Sequence, residues 1–330
     1  MRDAKAAPRI VPPVRPDWTS VVSDARSSEA EQATTIVRSP CAGAAATPRV
    51  SVVMPAYNHE RFVRAALASV VEQSLAEIEI VAVDDGSQDA TGALLDEFAA
   101  DCTTHAVTIV HQPNAGAHAA INRGLARARG EFVAIINSDD RYAPTRLAAM
   151  LDALRDRRSD FAFSAARFID DDGIEFANDN RYVERLRDAI ARFAGSGNPL
   201  PTLLRVNVAV SSGNFIFRKA LLEKIGGMCA FRVCHDWDFI LAASYHTPLA
   251  FVAEPLYDYR VHRANTFSGE RLVAHLEADQ VLDRFFENIE SHPALGEPAS
   301  RQAFLDDVCR RGLTSFLPPA LRNRPSTLQD

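Results

Sequence analysis

Apolar residues recur along the first half of the chain in two alternating patterns. Runs rich in Val and Ile predict buried β-strands at residues 49–54, 78–83, 107–110 and 132–136. Between these runs, apolar side chains recur at helical spacing, as Phe62, Ala66 and Val70 do, and predict amphipathic helices. Because strand and helix alternate four times, the pattern predicts an α/β fold with a mostly parallel sheet and right-handed crossovers.

Three of the four predicted strands end in polar or turn residues. Pro55 closes the first, the second runs into residues 84–87 (Asp-Asp-Gly-Ser), and the fourth runs into residues 137–140 (Asn-Ser-Asp-Asp). The carboxyl ends of parallel strands meet at one edge of a sheet, where ligands of α/β proteins bind. We therefore expect the functional site at this edge.

The carboxylates of Asp139 and Asp140 are candidates for ligand binding. Successive side chains of a strand point to opposite faces, so the two are expected to have different partners. One could accept hydrogen bonds from a ribose while the other holds a divalent metal against a diphosphate. The chain has no Gly-x-Gly-x-x-Gly loop after a strand and no Gly-Lys-Ser/Thr phosphate loop, which makes a metal bridge the natural substitute. Taken alone, the pair could also be two solvated loop acids.

The second half of the chain has a looser pattern. It predicts a helix over residues 147–155, a strand over 161–164, helical character around 183–193 and a strand around 211–218. The acidic residues 170–172, followed by Gly173, are typical of a hairpin turn and less so of a metal cluster. After residue 268, one long helix through Leu272 and Phe286 is predicted, with fraying beyond Pro318 and Pro319.

Composition and charge narrow the class of protein. The chain has 330 residues, of which 47% are hydrophobic, enough for a sizeable core and about two structural units. With 36 basic and 43 acidic residues, the net charge of -7 offers no footprint for nucleic acid and no polybasic membrane anchor. No apolar run approaches the roughly 18 residues of a membrane span, and a secretory signal is missing. A cytoplasmic protein is expected, with peripheral contact at the inner membrane face left open.

Two further features concern the cysteines and the start of the chain. The five scattered cysteines are typical of free thiols, and Cys229, Cys234 and His235 lack the second ligand pair of a zinc site. Residues 1–47 are rich in Ala, Pro, Ser and Arg, and are expected to form a disordered N-terminal tail.

Four stretches together resemble inverting family 2 glycosyltransferases of the GT-A fold. They are residues 52–58 (VVMPAYN), 83–87 (VDDGS), 137–140 (NSDD) and 235–238 (HDWD). A fifth, residues 259–262 (YRVH) with Asn265 and Thr266, is similar to the segment that closes such domains. The resemblance covers residues 49–268 and implies a GT-A-like mixed, mostly parallel sheet flanked by helices. It divides the chain into a nucleotide-sugar half (48–141), an acceptor half (142–268) and a helical extension (269–330).

This resemblance also implies the donor site. The residues that would line the nucleotide pocket are Pro55, Ala56, Tyr57, Asn58, Glu60, Asp85 and Asn114, with Asp85 reading the base and Asp139 facing the ribose. Asp140 and His262 would hold Mn²⁺ or Mg²⁺ against the two phosphates of a nucleotide-diphospho-sugar, commonly a uridine-linked one. His262 taken alone could equally be a solvated side chain.

The acceptor site would lie in the second half. Gly213, Asn214, His235 and Trp237 would contact a carbohydrate or glycolipid acceptor, and Asp236 would take the proton of its hydroxyl. One direct displacement would invert the anomeric centre. Judged without the resemblance, Asp236 is also a plausible helix N-cap and Trp237 a core residue.

The predicted function is a metal-dependent inverting glycosyltransferase in surface polysaccharide or glycoconjugate assembly. A module that binds the sugar nucleotide without chemistry is the alternative from another class. A sugar-phosphate nucleotidyltransferase is less favoured, because it would need a Gly- and Arg-rich loop where residues 55–58 (Pro-Ala-Tyr-Asn) stand.

Overall fold

The computed structural model describes residues 13–25, 35–39, 47–175, 181–195, 200–262, 270–293, 296, 298–310, 312–313 and 316–317. The strands are β1 (Thr35–Arg38), β2 (Val50–Ala56), β3 (Ile78–Asp84), β4 (Ala106–His111), β5 (Phe132–Ile135), β6 (Arg141–Tyr142), β7 (Phe161–Ile169), β8 (Ile216–Arg218) and β9 (Leu249–Arg260). The helices are α1 (Trp18–Ala25), α2 (Val63–Val71), α3 (Thr91–Asp101), α4 (Ala117–Arg127), α5 (Arg146–Asp156), α6 (Arg181–Ala194), α7 (Leu200–Leu203), α8 (Leu222–Ile225), α9 (His235–Ala243), α10 (Arg271–Glu287) and α11 (Pro298–Arg310).

The described strands form one sheet in the order β1-β4-β3-β2-β5-β8-β7-β9-β6. Strands β4, β3, β2 and β5 are parallel, as predicted from the alternation of strands and helices. β8 runs antiparallel to β5 and to β7, whereas β9 runs parallel to β7. The sheet is therefore mixed, and it combines strands from both sides of residue 141.

Helices cover both faces of this sheet. Every residue of β3 is buried, as expected for a central parallel strand with both faces covered. One apolar cluster includes Met54, Leu67 and Met150, from β2, α2 and α5. The larger cluster includes Ile121 and Phe239, from α4 and α9. Each face of the sheet thus has its own apolar cluster, and the loops lie at the ends of the strands.

The N-terminal residues correct one expectation. The sequence predicted a disordered tail to residue 47, but α1 and β1 lie within it. β1 pairs antiparallel with β4, from Thr35 opposite His111 to Arg38 opposite Thr108. Val21 of α1 is only 5% exposed. Composition predicts disorder from local preference, whereas here the sheet edge at β4 pairs with β1, and the helices α4 and α8 contact α1.

Other expectations concern the turn at residue 173 and the C-terminal helices. The hairpin turn is confirmed, since the Asp170 amide donates to the Ile174 carbonyl (2.9 Å) and Gly173 has φ +82°. The predicted long helix is α10, followed by α11, whereas residues beyond 317 lie outside the described ones. Among the helices described, none combines the length and the apolar character required to cross a bilayer.

Candidate active site

The loops that follow β2, β3 and β5 meet at one edge of the sheet. β2 and β3 are paired along their length, so that Ala56 lies opposite Asp84 at their carboxyl ends. β5 runs beside β2 in the same direction, and its continuation is held by a hydrogen bond from the Ile136 amide to the Val53 carbonyl (3.0 Å). The sequence motifs at residues 55–60, 84–87 and 137–140 are therefore neighbours, as predicted.

The first two loops are tied to each other by Asn58 and Glu60. Asn58 has φ +54°, and its side-chain oxygen accepts from the Gln88 amide (2.7 Å). Glu60 accepts from the Ala90 amide (2.9 Å). Pro55 and Ala56 lie within β2, while the Tyr57 side chain is 44% exposed beside the loops. An exposed aromatic ring at this position can stack on a nucleotide base.

Asp85, in the loop after β3, holds the loop that follows β4. It is 3% exposed, and its Oδ1 accepts from the Gln112 side chain (2.6 Å) and the Ala115 amide (2.8 Å). Its Oδ2 accepts from the Gly116 amide (2.9 Å), which leaves capacity for one further donor. Asn114 is exposed in the same loop. Asp85 thus fixes the loop, and contact with a base would have to use the remaining position of Oδ2.

A cluster of one carboxylate and two imidazoles lies beyond β5. The Nε2 atom of His262 is 3.0 Å from Asp139 Oδ2, and the Nε2 atom of His59 is 3.7 Å from the same oxygen. One ligand atom from each of the three lies within 4.8 Å of the others, as in a possible metal site. His59 Nδ1 is 2.8 Å from the Ser138 hydroxyl, a contact that orients the ring.

The electrostatics of Asp139 suit a ligand role. Burial favours the neutral acid, but the neighbouring imidazoles of His59 and His262 outweigh it, so the pKa of Asp139 lies below its ordinary value. The carboxylate is therefore charged at neutral pH. Nitrogen and oxygen ligands in this combination fit Mn²⁺ better than Mg²⁺, which prefers oxygen ligands alone.

Asp140, which the sequence assigned to the metal, has other partners. It is 1% exposed, and its Oδ1 accepts from the Arg260 amide (2.8 Å). Its Oδ2 accepts from the Tyr257 hydroxyl and from the Asn137 side chain (3.0 Å). Burial and the charge of Asp139 raise the pKa of Asp140 well above its ordinary value. Its oxygens face the protein, so the geometry places Asp139 and not Asp140 in the cluster with His262.

Tyr257 and Arg146 form a buried layer beneath these carboxylates. The Arg146 side chain is 1% exposed and donates to the Ser164 hydroxyl (2.6 Å) and to the Asn214 carbonyl (2.8 Å). Its guanidinium lies 5.5 Å from the centre of the Tyr257 ring. Burial and the nearby Asp140 raise the pKa of Tyr257, so its hydroxyl remains a donor. Through the hydroxyl of Tyr257, which donates to Asp140, this layer fixes the 137–140 loop.

The loop before β8 passes next to this layer and contains Gly213 and Asn214, which the sequence assigned to the acceptor. A Cβ on Gly213 would overlap the Tyr257 hydroxyl and lie 2.9 Å from the Asn137 amide, so glycine is required for the close approach. Asn214 is 0% exposed, and its side-chain oxygen accepts from Arg146 (2.8 Å). Asn214 therefore cannot contact an acceptor; the prediction for this residue is wrong because its amide is used inside the core.

Asp236 lies in the first turn of α9 and is partly buried. Its Oδ1 accepts from the Trp237 amide (2.6 Å) and its Oδ2 from the Asn207 side chain (2.9 Å). Burial raises the pKa of Asp236 to about 7. A carboxylate with this pKa can take up a proton near neutral pH, as a general base must. Asn207 belongs to the same loop as Ser211, whose hydroxyl lies 2.9 Å from the Tyr257 hydroxyl. This loop therefore contacts Asp236 directly and is connected to Asp140 through Tyr257.

The neighbours of Asp236 differ in accessibility. Trp237 is 9% exposed and its indole donates to the Leu203 carbonyl (2.7 Å), which makes it a core residue and corrects its assignment to the acceptor. His235 is also 9% exposed, but its Nδ1 has no hydrogen-bond partner among the described residues. Burial lowers the pKa of His235 to about 4, so its ring is neutral. Contact between His235 and an acceptor stays a prediction.

Sequence reasoning missed His59, Tyr257 and Arg146. His59 follows Asn58 directly within a motif already singled out, so its position was a usable signal. Arg146 lies four residues before Met150, on the apolar face of a helix, and a lone Arg on such a face indicates a buried partner. Tyr257 carries no such signal, because tyrosine is common in strands.

Comparison with known proteins identifies a relative by sequence. EpsH of Bacillus subtilis (strain 168), a protein named as a glycosyltransferase, is 29% identical over 223 residues, which is 66% of this chain and 62% of the relative. This chain therefore spans less than two thirds of the length of that relative.

Two solved structures share the fold. The crystal structure of S. aureus TarS 1-349 in complex with UDP-GlcNAc has a TM-score of 0.55 at 17% identity, covering 83% of this chain and 82% of that one. The mannosyltransferase PcManGT from Pyrobaculum calidifontis, in complex with GDP-Man and Mn²⁺, has a TM-score of 0.53 at 21% identity, covering 84% and 83%. Both confirm the predicted GT-A type of α/β fold.

The sequence profile of glycosyl transferase family 2 matches residues 51–226. This stretch contains the loops after β2, β3 and β5, and it ends shortly before α9. It covers more than half of the chain and agrees with the resemblance inferred from the motifs. The chain therefore belongs to glycosyltransferase family 2, a family of transferases.

Proposed function

We propose that the protein transfers a sugar from a nucleotide-diphospho-sugar to an acceptor hydroxyl, with inversion and with the help of a divalent cation. The observation that carries the proposal is the cluster of His59, Asp139 and His262 at the end of β5, beside the loops that contain Tyr57 and Asp85. This is the edge of the sheet at which α/β proteins bind nucleotides.

The metal would be held by Asp139, His262 and His59, and not by Asp140 as the sequence indicated. When bound, such a cation neutralises the charge that builds up on a departing diphosphate. Because Asp139 is charged at neutral pH and two imidazoles accompany it, Mn²⁺ fits this set better than Mg²⁺ does.

Asp236 would act as the base. Its pKa of about 7 allows it to accept the proton of the acceptor hydroxyl near neutral pH. The hydrogen bonds from Asn207 (2.9 Å) and the Trp237 amide (2.6 Å) fix the carboxylate in one orientation. Attack from the side opposite the diphosphate inverts the anomeric centre in a single step. A carbohydrate or glycolipid acceptor, in surface polysaccharide or glycoconjugate assembly, completes the proposal.

A panel of UDP- and GDP-sugars with Mn²⁺ tests the proposal, because TarS and PcManGT are complexed with one donor of each kind. We expect release of nucleoside diphosphate with at least one donor, and loss of this release when EDTA removes the cation. Metal-dependent binding of a sugar nucleotide without any turnover would instead favour the non-catalytic module. Absence of both, in a folded protein, would refute the proposed function.

A further inference from the structure

Residues 13–17 lie against the acceptor half, although they precede the stretch that matches the family. The Gly227 amide donates to the Pro16 carbonyl (2.9 Å), and the Arg15 side chain donates to the Gly227 carbonyl (3.2 Å). Gly226 has φ +74°, and a Cβ there would overlap the Pro16 carbonyl. Only glycine allows two backbones to approach so closely, so this contact is built into the fold.

The same segment supplies the partner of a buried carboxylate. The Asp238 side chain, in α9, is 2% exposed. Arg15 donates to Asp238 Oδ2 and also to the Asp238 carbonyl (2.9 Å), while Arg284 Nε lies 3.5 Å from Oδ1. A buried carboxylate without a cation is strongly unfavourable. Arg15 therefore provides the closest compensating charge for Asp238.

Asp238 connects this segment to the proposed base. It lies two residues after Asp236, within the first turn of the same helix. The loop before α9 is held by Glu277, whose carboxylate accepts from the amides of residues 232–234 at 2.7 to 2.9 Å. Glu277 anchors the approach to the helix, and Arg15 anchors the helix itself.

We propose that Arg15 is a positioning residue for Asp236, acting through Asp238. The inference rests on the proposed function, because it gives Asp236 the role of base. Loss of Arg15 leaves the Asp238 charge with Arg284 alone, and α9 shifts to bring that charge closer to water. The nucleotide loops make no hydrogen bond or ion pair with Arg15 among the described residues, so donor binding stays unchanged.

A cavity lies beside the ion pair and affects how strongly the removal of Arg15 destabilises Asp238. Its volume is about 380 Å³, and Arg15, Asp238, Arg284, Leu241 and Tyr245 belong to its lining. The cavity is large enough for several water molecules. Water that enters after removal of the guanidinium solvates Asp238 in part, so the helix moves without unfolding.

The test compares Arg15→Ala, Arg15→Lys and the double variant Arg15→Ala/Asp238→Asn in the full chain. Arg38→Ala is the matched control, since Arg38 lies exposed on β1 in the same N-terminal part. We expect kcat to fall about 10- to 100-fold in Arg15→Ala, as for other misplaced catalytic groups, with the Kd for the sugar nucleotide unchanged. Arg15→Lys keeps the charge and loses less, and the double variant recovers most of the activity because it has no buried carboxylate left with only the more distant Arg284 as its cation.

Amide hydrogen exchange provides a readout that needs no turnover. Faster exchange is expected in residues 236–243 of Arg15→Ala and not in β2 or β3, whereas Arg38→Ala matches the wild type. Wild-type exchange and kcat in Arg15→Ala, or an equal loss of kcat in the single and double variants, would overturn the inference. If the wild type transfers no sugar at all, the proposed function fails, while the exchange data still decide whether Arg15 holds α9.

Discussion

Replacing Asp236 by Asn is expected to abolish sugar transfer. At alkaline pH it should also remove a buried charge that destabilises the folded protein. Burial raises the pKa of this carboxyl from its ordinary 3.8 to about 7. The folded protein therefore binds the proton more tightly than the unfolded chain does. The resulting stabilisation is fully present below pH 3.8 and is lost as the pH rises through 7.

The magnitude follows from this difference and from the hydrogen bonds of the carboxylate. A pKa of about 7 in place of 3.8 corresponds to at most about 4 kcal/mol, at 1.36 kcal/mol per pKa unit. Asn has a single side-chain oxygen, so the variant loses the bond from either Asn207 (2.9 Å) or the Trp237 amide (2.6 Å), at a cost of about 1–3 kcal/mol. This loss is the same at every pH, whereas the charge contribution is not.

Urea unfolding at pH 5 and pH 8 separates the two contributions. Between these values the stability of Asp236→Asn relative to the wild type should rise by up to about 3 kcal/mol, while Asp101→Asn, an exposed helix residue, should show no such change. In the wild type, transfer should rise about tenfold from pH 6 to pH 8, as the base loses its proton. A pH-independent stability difference, or transfer retained by Asp236→Asn, would refute the assignment.

Three further substitutions test the metal site and the layer beneath it. His262→Ala removes one of the proposed metal ligands and should weaken Mn²⁺ binding at least about tenfold by calorimetry; unchanged affinity would exclude His262 as a ligand. Tyr257→Phe removes the hydroxyl that donates to Asp140 and should lower the free energy of unfolding by about 1–3 kcal/mol, which an unchanged urea midpoint would contradict. Gly213→Ala should cost about 1–3 kcal/mol and reduce transfer, since the new methyl group overlaps the Tyr257 hydroxyl; wild-type activity and stability would show that the loop yields freely.

Local sequence patterns were sufficient to predict the alternating strands and helices between residues 49 and 136 and the sheet edge at which the candidate site lies. Strand and helix periods are local properties, so the runs around Val52, Ile80 and Ile135 were sufficient to predict the parallel part of the sheet. Polar residues at the strand ends then indicated the site, because parallel strands place their carboxyl ends together. The family resemblance followed from the same motifs, and the profile match confirmed it.

The contacts between side chains that are distant in the sequence could be read only from the folded chain. His262 follows Asp139 by 123 positions in the chain, and no local period relates two residues so far apart. Two of the partners of Asp140, Tyr257 and Arg260, come from β9, which is why the two adjacent carboxylates have different surroundings. Burial likewise removed Asn214 from the acceptor site. Arg15, in a segment whose composition is typical of disorder, compensates the charge of Asp238, because the electrostatic cost of a buried carboxylate arises only once the chain has folded around it.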